Sequence, residues 1–322
     1  MTPFAYHRAS SAADALGAMR PGARYLAGGT SLIDLMKTGV EAPDLLVDLN
    51  RGAGLGGLEW LPDGTLRAGA AVRMTALARD PQVARRFPVL HQALLAGATP
   101  QLRNMASLAG NLLQRTRCFY FRDPSFAACN KRTPGTGCAA LRGVSADHAL
   151  LGWTEACVAV HPSDLAVALL ALDVRVVTDR RTLPVETLHR GPGDDPRADT
   201  VLEEGELIVA LEVPSGPCAA RSAYAKSPAG GFALASAAVA LEVRDGRVVS
   251  SHVALGGVAH RPWRSHEAEA ALAGSAAGLP SFATAADAAL SETRPLSGNG
   301  FKMPLARAVL IEALSAAAGA AA

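Results

Sequence analysis

Cysteine is scarce in this chain, five in 322 residues, which excludes a disulfide-stapled scaffold. Aromatic residues are scarce as well, at 5%, which excludes a surface that stacks successive bases. Neither sign of charge dominates. A net charge of +2 with no basic stripe excludes nucleic acid and other polyanions as partners. No apolar run reaches the roughly 18 residues of a membrane-spanning helix. The opening segment, MTPFAYHRASSAADALGAMR, lacks the unbroken apolar stretch of a secretory signal. No segment repeats at a fixed period. What is present is a soluble, globular composition, 49% hydrophobic and 19% charged, with length for two or three domains.

The first part alternates strand-like and helix-like pieces. ARYLA (residues 23 to 27) reads as a strand, GGTSLIDLMKTG as a turn into a short helix, and LLVDL (45 to 49) as a second strand. Residues 56 to 72 form a hairpin around PDG. MTALARD and QVARRFPVLHQALLAGA predict two helices, with Pro88 interrupting the second. DLAVALLAL (164 to 172) reads as an apolar helix, VRVVTD as a strand, and ELIVALEVP (206 to 214) as a strand ended by Pro214. A domain boundary is expected at Ser215 to Pro217. Beyond it, FALASAAVALEV and GRVVSSHVALGGVA followed by two Ala-rich helices predict an α+β unit, and EALSAAAGAAA a helix fraying into a tail.

AGGTSL (27 to 32) stands between a strand and a helix. Two glycines let the backbone turn with positive φ and leave no side chain in the way. The free N–H groups of the following helix make an anion site, with the hydroxyls of Thr30 and Ser31 beside it, suited to a phosphate or diphosphate. The pattern is neither GxGxxG nor a Walker A loop; without a ligand it is an ordinary tight turn. A second small-residue turn, ASLAGN (106 to 111), offers Ser107, Gly110 and Asn111 to grip a diphosphate from the other side.

RCFYFRDPSFAACNKRTPGTGC (117 to 138) gathers Cys118, Cys129 and Cys138 in a segment with no helical or strand period, and Cys157 follows. No CxxC pair exists, so zinc-ribbon and ferredoxin signatures both fail. Four separated thiolates suit a [4Fe–4S] cluster, with Arg117, Arg122, Lys131 and Arg132 to steady its negative charge. They suit structural zinc equally in number. Unliganded, they are small buried hydrophobes, a reading that applies most to Cys157 before its apolar stretch. Spacing alone does not separate these readings.

YLAGGTSLIDLMK, QLRNMASLAGNLLQ, HPSDLAVALLALD, ALGGVAHRPWR and GNGFKMPLARAVL resemble, over nearly the whole chain, the FAD-binding medium subunits of the xanthine dehydrogenase (molybdenum hydroxylase) family. The cysteine segment is similar to the subgroup of bacterial aldehyde oxidoreductase flavoprotein subunits that carry an extra [4Fe–4S] cluster in an inserted loop.

The resemblance implies a mixed α/β and α+β fold: a two-part FAD-binding PCMH-type domain at 1–215, divided near residue 55 with the insertion at about 115–157, and a C-terminal flavoprotein domain at 216–322. It implies FAD held by Leu26, Ala27, Gly28, Gly29, Thr30, Ser31 and Leu32 at the diphosphate, with Ser107, Gly110 and Asn111 opposite. Asp164 would meet the adenosine portion, and Ile208 and Lys226 the isoalloxazine. Cys118, Cys129, Cys138 and Cys157 would hold the cluster, and Cys218 would be a bystander. The implied partners are a molybdenum-cofactor subunit, a [2Fe–2S] subunit and an external electron acceptor; the chain itself shows no base or nucleophile for substrate chemistry.

The implied location is the cytoplasm, or the periplasm if the chain travels folded on a partner's twin-arginine signal. Competing readings are a zinc-stabilised nucleotide-binding or scaffolding subunit, and the flavoprotein of an aryl-CoA reductase-type enzyme. Two departures stand out: Ala109 replaces a glycine of the family's second turn, and SPAGG (227 to 231) replaces its usual charged turn.

Overall fold

A computed structural model of the chain describes residues 1–50, 53–229 and 231–319. The strands Ala5–Arg8, Ala23–Leu26 and Leu45–Asp48 form a three-stranded parallel sheet with Leu45–Asp48 in the centre. Helices Ala12–Gly17 and Leu32–Lys37 make the crossovers that parallel pairing demands. The Ser11 hydroxyl starts the first helix by accepting the Asp14 amide at 3.0 Å. The expected strands at 23 and 45 are present. Ala5–Arg8, an edge strand without an apolar face, carries no periodic signal and was not expected.

An antiparallel five-stranded sheet follows, in the order Leu58–Trp60, Leu66–Gly69, Ile208–Val213, Arg175–Thr178, Thr182–Pro184. Its core is completed by Met74–Arg79, Pro81–Arg86 and Pro88–Ala96. Where two helices were expected, there are three. Pro81 and Pro88 each stand at the start of a helix, where a missing N–H costs nothing, so Pro88 opens an element rather than interrupting one. The Asp80 carboxylate caps the middle helix by accepting the Gln82 amide at 2.7 Å. ASLAGN also differs from expectation: it is the start of a short helix, Leu108–Leu112, capped by the Ser107 hydroxyl. Ala109 lies inside that helix without positive φ, so alanine fits where the family has glycine.

The helix Asp164–Ala171 is buried along its whole length. DLAVALLA has no polar face, which requires partners all round. They are the core of the five-stranded sheet on one side and a four-stranded antiparallel sheet on the other, ordered Trp263–Arg264, Arg247–Gly256, Phe232–Arg244, Ser222–Ala229. The long middle strands read as nearly unbroken small apolar residues because both faces are covered. His266–Leu272, Leu279–Ala289 and Lys302–Ala318 contribute to the core on the far side, three helices where two were expected. Ser222–Ala229 is a strand despite Pro228; it lies at the sheet edge, where a proline is tolerated. Gly319, at φ +72°, ends the last helix, and the expected fraying tail falls on residues 320–322, outside the described residues. Among the described residues no helix is long and apolar enough to cross a membrane.

Gly256 lets the buried helix meet the four-stranded sheet. A β-carbon there would stand 2.5 Å from Cγ2 of Val167. Gly256→Val is therefore expected to lower the unfolding free energy of the full chain by roughly 1–3 kcal/mol, the usual cost of overpacking a filled core. Unchanged denaturant midpoints would show that the two layers do not bear on each other at this point.

Candidate functional site

Two pockets, each of about 290 Å³, share Thr30, Ser31 and Gly110 and so form the two ends of one trough. The waist is the AGGTSL turn. Gly29 takes φ +71°, and a β-carbon on Gly28 would collide with the Met105 carbonyl. The two glycines thus serve different ends: one turns the chain, the other lets the turn lie against the segment that leads to Ser107. Arg73 and Asn50 hold the two segments together. Arg73 donates to the Met105 carbonyl at 2.5 Å and to Asn50 Oδ1 at 2.6 Å, and Asn50 donates to the Ala27 carbonyl at 2.8 Å.

Among the described residues, the amides of Gly28 to Leu32 donate to no protein acceptor. A row of free amides at the waist is an anion site of the backbone type. The opposite segment works differently. The amides of Ala109, Gly110 and Asn111 are engaged by Ala70, by the Ser107 hydroxyl and by the Ser107 carbonyl, so this side offers a surface and the Ser107 hydroxyl rather than free N–H groups.

The first pocket contains Leu26 to Leu32, Ser107, Gly110 and Ile208; the second contains Asn111 and Asp164. Here an expectation is corrected. Asp164 was set apart from Ile208 and Lys226. Instead the Lys226 ammonium donates to Asp164 Oδ2 at 2.8 Å, and Ile208 lies in the other pocket. Topology is the reason: Ile208 opens a strand of the five-stranded sheet, whereas Lys226 belongs to the four-stranded sheet that covers the Asp164 helix.

Tyr224 was missed. Its hydroxyl donates to Asp164 Oδ1 at 2.5 Å, and burial followed by the Asp164 charge holds its pKa well above the usual tyrosine value. Its place two residues before Lys226, on the same strand face, was the available signal. Asn111 is turned to the same helix, its Oδ1 accepting the Ser163 hydroxyl at 2.6 Å.

Cys118, Cys129, Cys138 and Cys157 line one small cavity together with Lys131, and all are free thiols. Cys129 and Cys138 pair across a hairpin turned by Gly135 and Gly137 at φ +80° and +90°. Asn130 joins Cys157 to it, accepting the Gly137 amide at 2.8 Å and donating to the Ala156 carbonyl at 3.0 Å. Arg132 joins the Cys118 segment by donating to the carbonyls of Tyr120, Phe121 and Phe126. His148 lies 3.2 Å from Cys118 Sγ through Nε2.

Burial pushes the Cys118 thiol up to about 11 and the Cys157 thiol to about 12. Such thiols are protonated and unreactive until something displaces the proton. Among the described residues, no three His, Cys, Asp or Glu side chains close around a single metal ion, although the four thiols line the same small cavity. Of the four cations expected at the thiols, Lys131 alone lines the cavity. Arg132 is engaged by carbonyls, and Arg117 and Arg122 turn to Asp34. Cys218 stands apart, in a separate surface hollow.

One buried network connects the thiol cavity to the trough. Asp199 accepts from Lys131 at 2.5 Å and from Arg115 at 3.0 Å, and Arg115 donates on to Glu41 at 2.6 Å in the first pocket. Burial raises the Asp199 pKa, but Lys131 and Arg115 outweigh it and leave the carboxyl below its ordinary value.

A trough with two ends and an amide-lined waist is the shape of a dinucleotide-binding site. Residues 2–216 match the family described as the FAD binding domain in molybdopterin dehydrogenase, and residues 222–317 the CO dehydrogenase flavoprotein C-terminal domain. The chain belongs to this family: it is an FAD-dependent oxidoreductase subunit, a medium subunit of the xanthine dehydrogenase and CO dehydrogenase type.

It is 45% identical to the aldehyde oxidoreductase FAD-binding subunit PaoB of Escherichia coli K12, over 98% of this chain and 99% of that one. It is 31% identical to the carbon monoxide dehydrogenase medium chain of Afipia carboxidovorans, over 91% and 88% of the two chains. The structure superposes on carbon monoxide dehydrogenase from Hydrogenophaga pseudoflava with a TM-score of 0.76 at 27% identity, covering 100% of this chain and 99% of that one.

Gly28→Ala is expected to push the two turns apart and weaken FAD binding about tenfold or more, with circular dichroism unchanged; full FAD retention would refute the close-approach role. Asp199→Asn leaves the buried Lys131 without a counter-charge, while Arg115 keeps Glu41, and is expected to cost about 3 kcal/mol. Because the native carboxyl titrates below its unfolded value, its contribution is present above about pH 4 and fades as pH falls. The variant's stability should therefore converge on that of wild type in acid, and a pH-independent difference would assign the loss to packing instead.

Proposed function

We propose that the chain carries FAD in the trough and a [4Fe–4S] cluster on Cys118, Cys129, Cys138 and Cys157. It serves as the electron-transfer subunit of a molybdenum-containing aldehyde oxidoreductase, beside a molybdenum-cofactor subunit and a [2Fe–2S] subunit. Bound FAD would supply the exchange of electrons between those partners and an external acceptor. The chain's residues bind, orient and enclose. The amides of Gly28 to Leu32 would hold the diphosphate, and Ser107 would hydrogen-bond from the other side.

Asp164 and Lys226 form a buried ion pair in the pocket that also holds Arg117. A cation near a ring that gains negative charge on reduction favours that reduction. This assigns the flavin ring to the Asp164 pocket and the adenosine to the Ile208 pocket.

The observation that carries the cluster reading is the meeting of four thiols from three separated segments in one cavity, with a buried ammonium beside them. Four cysteines suit a [4Fe–4S] cluster and a structural zinc equally in number, and metal content separates the two. Metal, flavin and visible absorbance measured on anaerobically purified protein test this directly. About four irons and one FAD per chain are expected. Serine at any of the four cysteines should lower iron, and Cys218→Ser should not. One zinc per chain and no iron would replace the cluster with a structural ion.

A further inference from the structure

Three groups of charges border the trough and the thiol cavity. Lys226 and Asp164 are matched one to one. Lys131 and Arg115 face Asp199 and Glu41, with the half-exposed Arg24 at 3.9 Å from Glu41. In the third group two arginines converge on one carboxylate. Arg117 and Arg122 share a single carboxylate, Asp34, with Arg117 at 3.5 Å. Asp147, which lines the adjoining pocket with both arginines, forms no ion pair among the described residues.

Arg117 is also short of acceptors. Its side chain is 24% exposed, its buried Nε has no partner among the described residues, and its one hydrogen bond is a long 3.4 Å contact to Gln114. A half-buried guanidinium in this condition has donor capacity to spare. Its place narrows the choice. Arg117 lines the second pocket of the trough together with Thr30, Ser31 and Asp164, and it stacks over the Phe232 ring at 5.0 Å. Phe232 directly follows the SPAGG segment, which has no charged residue where the family's turn has one. The cation arrives instead from the cysteine-bearing insertion.

We propose that Arg117 is a contact of the flavin site: its guanidinium donates to a negatively charged oxygen of the bound cofactor. This deepens the assignment of FAD to the trough and rests on it. Two parts of the cofactor carry such an oxygen, the diphosphate and the pyrimidine edge of the reduced ring, and both lie within the chemistry that a charge-assisted fork recognises. On either, the insertion that encloses the thiols would also complete the flavin pocket.

Two readings on the full-length chain, as wild type, Arg117→Gln and Arg117→Lys, distinguish the sources. One is the FAD dissociation constant. The other is the dissociation constant of the sulfite adduct. Sulfite bonds to the oxidised ring through its sulfur lone pair and leaves the ring negatively charged, so it reports a cation near the ring. Loss of a charge-assisted bond corresponds to about tenfold in either constant. Weaker FAD with unchanged sulfite binding supports a diphosphate contact. Unchanged FAD with weaker sulfite binding and a more negative flavin potential supports a ring contact. Arg117→Lys should recover part of whichever effect appears. If both constants stay within about twofold of wild type in Arg117→Gln, the arginine only braces Phe232 and Asp34, and the proposal is overturned. Wild-type protein that takes up no FAD overturns the trough assignment itself, and this inference with it.

Discussion

The arrangement of the two sites depends on one buried carboxylate. Asp199 stands in a polar loop between strands, yet it receives Lys131 from the cysteine hairpin and Arg115 from the segment beside the trough. Lys131 could not be buried alone at acceptable cost, and Arg115 divides its charge between Asp199 and Glu41. Three neighbouring imidazoles do not alter the balance. His161, His189 and His260 are all depressed in pKa, chiefly by burial, His260 to about 4. They are neutral at ordinary pH, so the network's charge is set by Asp199 and Glu41 with Lys131, Arg115 and, at 3.9 Å from Glu41, Arg24. Thiol cavity and trough are therefore joined along this route through hydrogen bonds.

The Arg117 group has fewer carboxylates than the Asp199 group. The two arginines stand two residues apart in an extended segment, so their side chains leave on the same side of the backbone. Arg115 meets two carboxylates and is saturated; Arg117 shares one with Arg122. Equal residues on one short segment thus end in unequal states because the surrounding acids are unequal. A protein interior tolerates such an imbalance only where something else supplies the missing charge.

Much of this was legible in the sequence, and the legible parts share a property. AGGTSL, the apolar DLAVALLA helix and the strands around it are local signals: a backbone turn that only glycine makes, or a period that only one element satisfies. The clustering of the cysteines in an irregular loop was visible for the same reason. Their meeting in one cavity was not, because it depends on Asn130 and Arg132, whose partners are backbone carbonyls and amides that carry no sequence mark. Strand Ser222–Ala229 was hidden by Pro228, and the three-way division of the helices near Pro81 and Pro88 by reading proline as a stop rather than a start.

The contact between Asp164 and Lys226 shows what sheet order adds to a motif. A motif match places a residue in a site but not at an end of it. The end is decided by sheet order. Asp164 begins a helix sealed beneath the strand that carries Tyr224 and Lys226, so its two oxygens are occupied by a phenol and an ammonium from the C-terminal layer. Ile208 starts a strand of the other sheet and can reach only the opposite pocket. The pocket with Arg117 and the Asp164 ion pair draws on the C-terminal part of the chain through Phe232, whereas the residues of the Ile208 pocket all lie at or before position 208. A group whose charge changes on reduction is best held where charges can be set from several elements. A group with fixed chemistry needs only a shaped apolar wall.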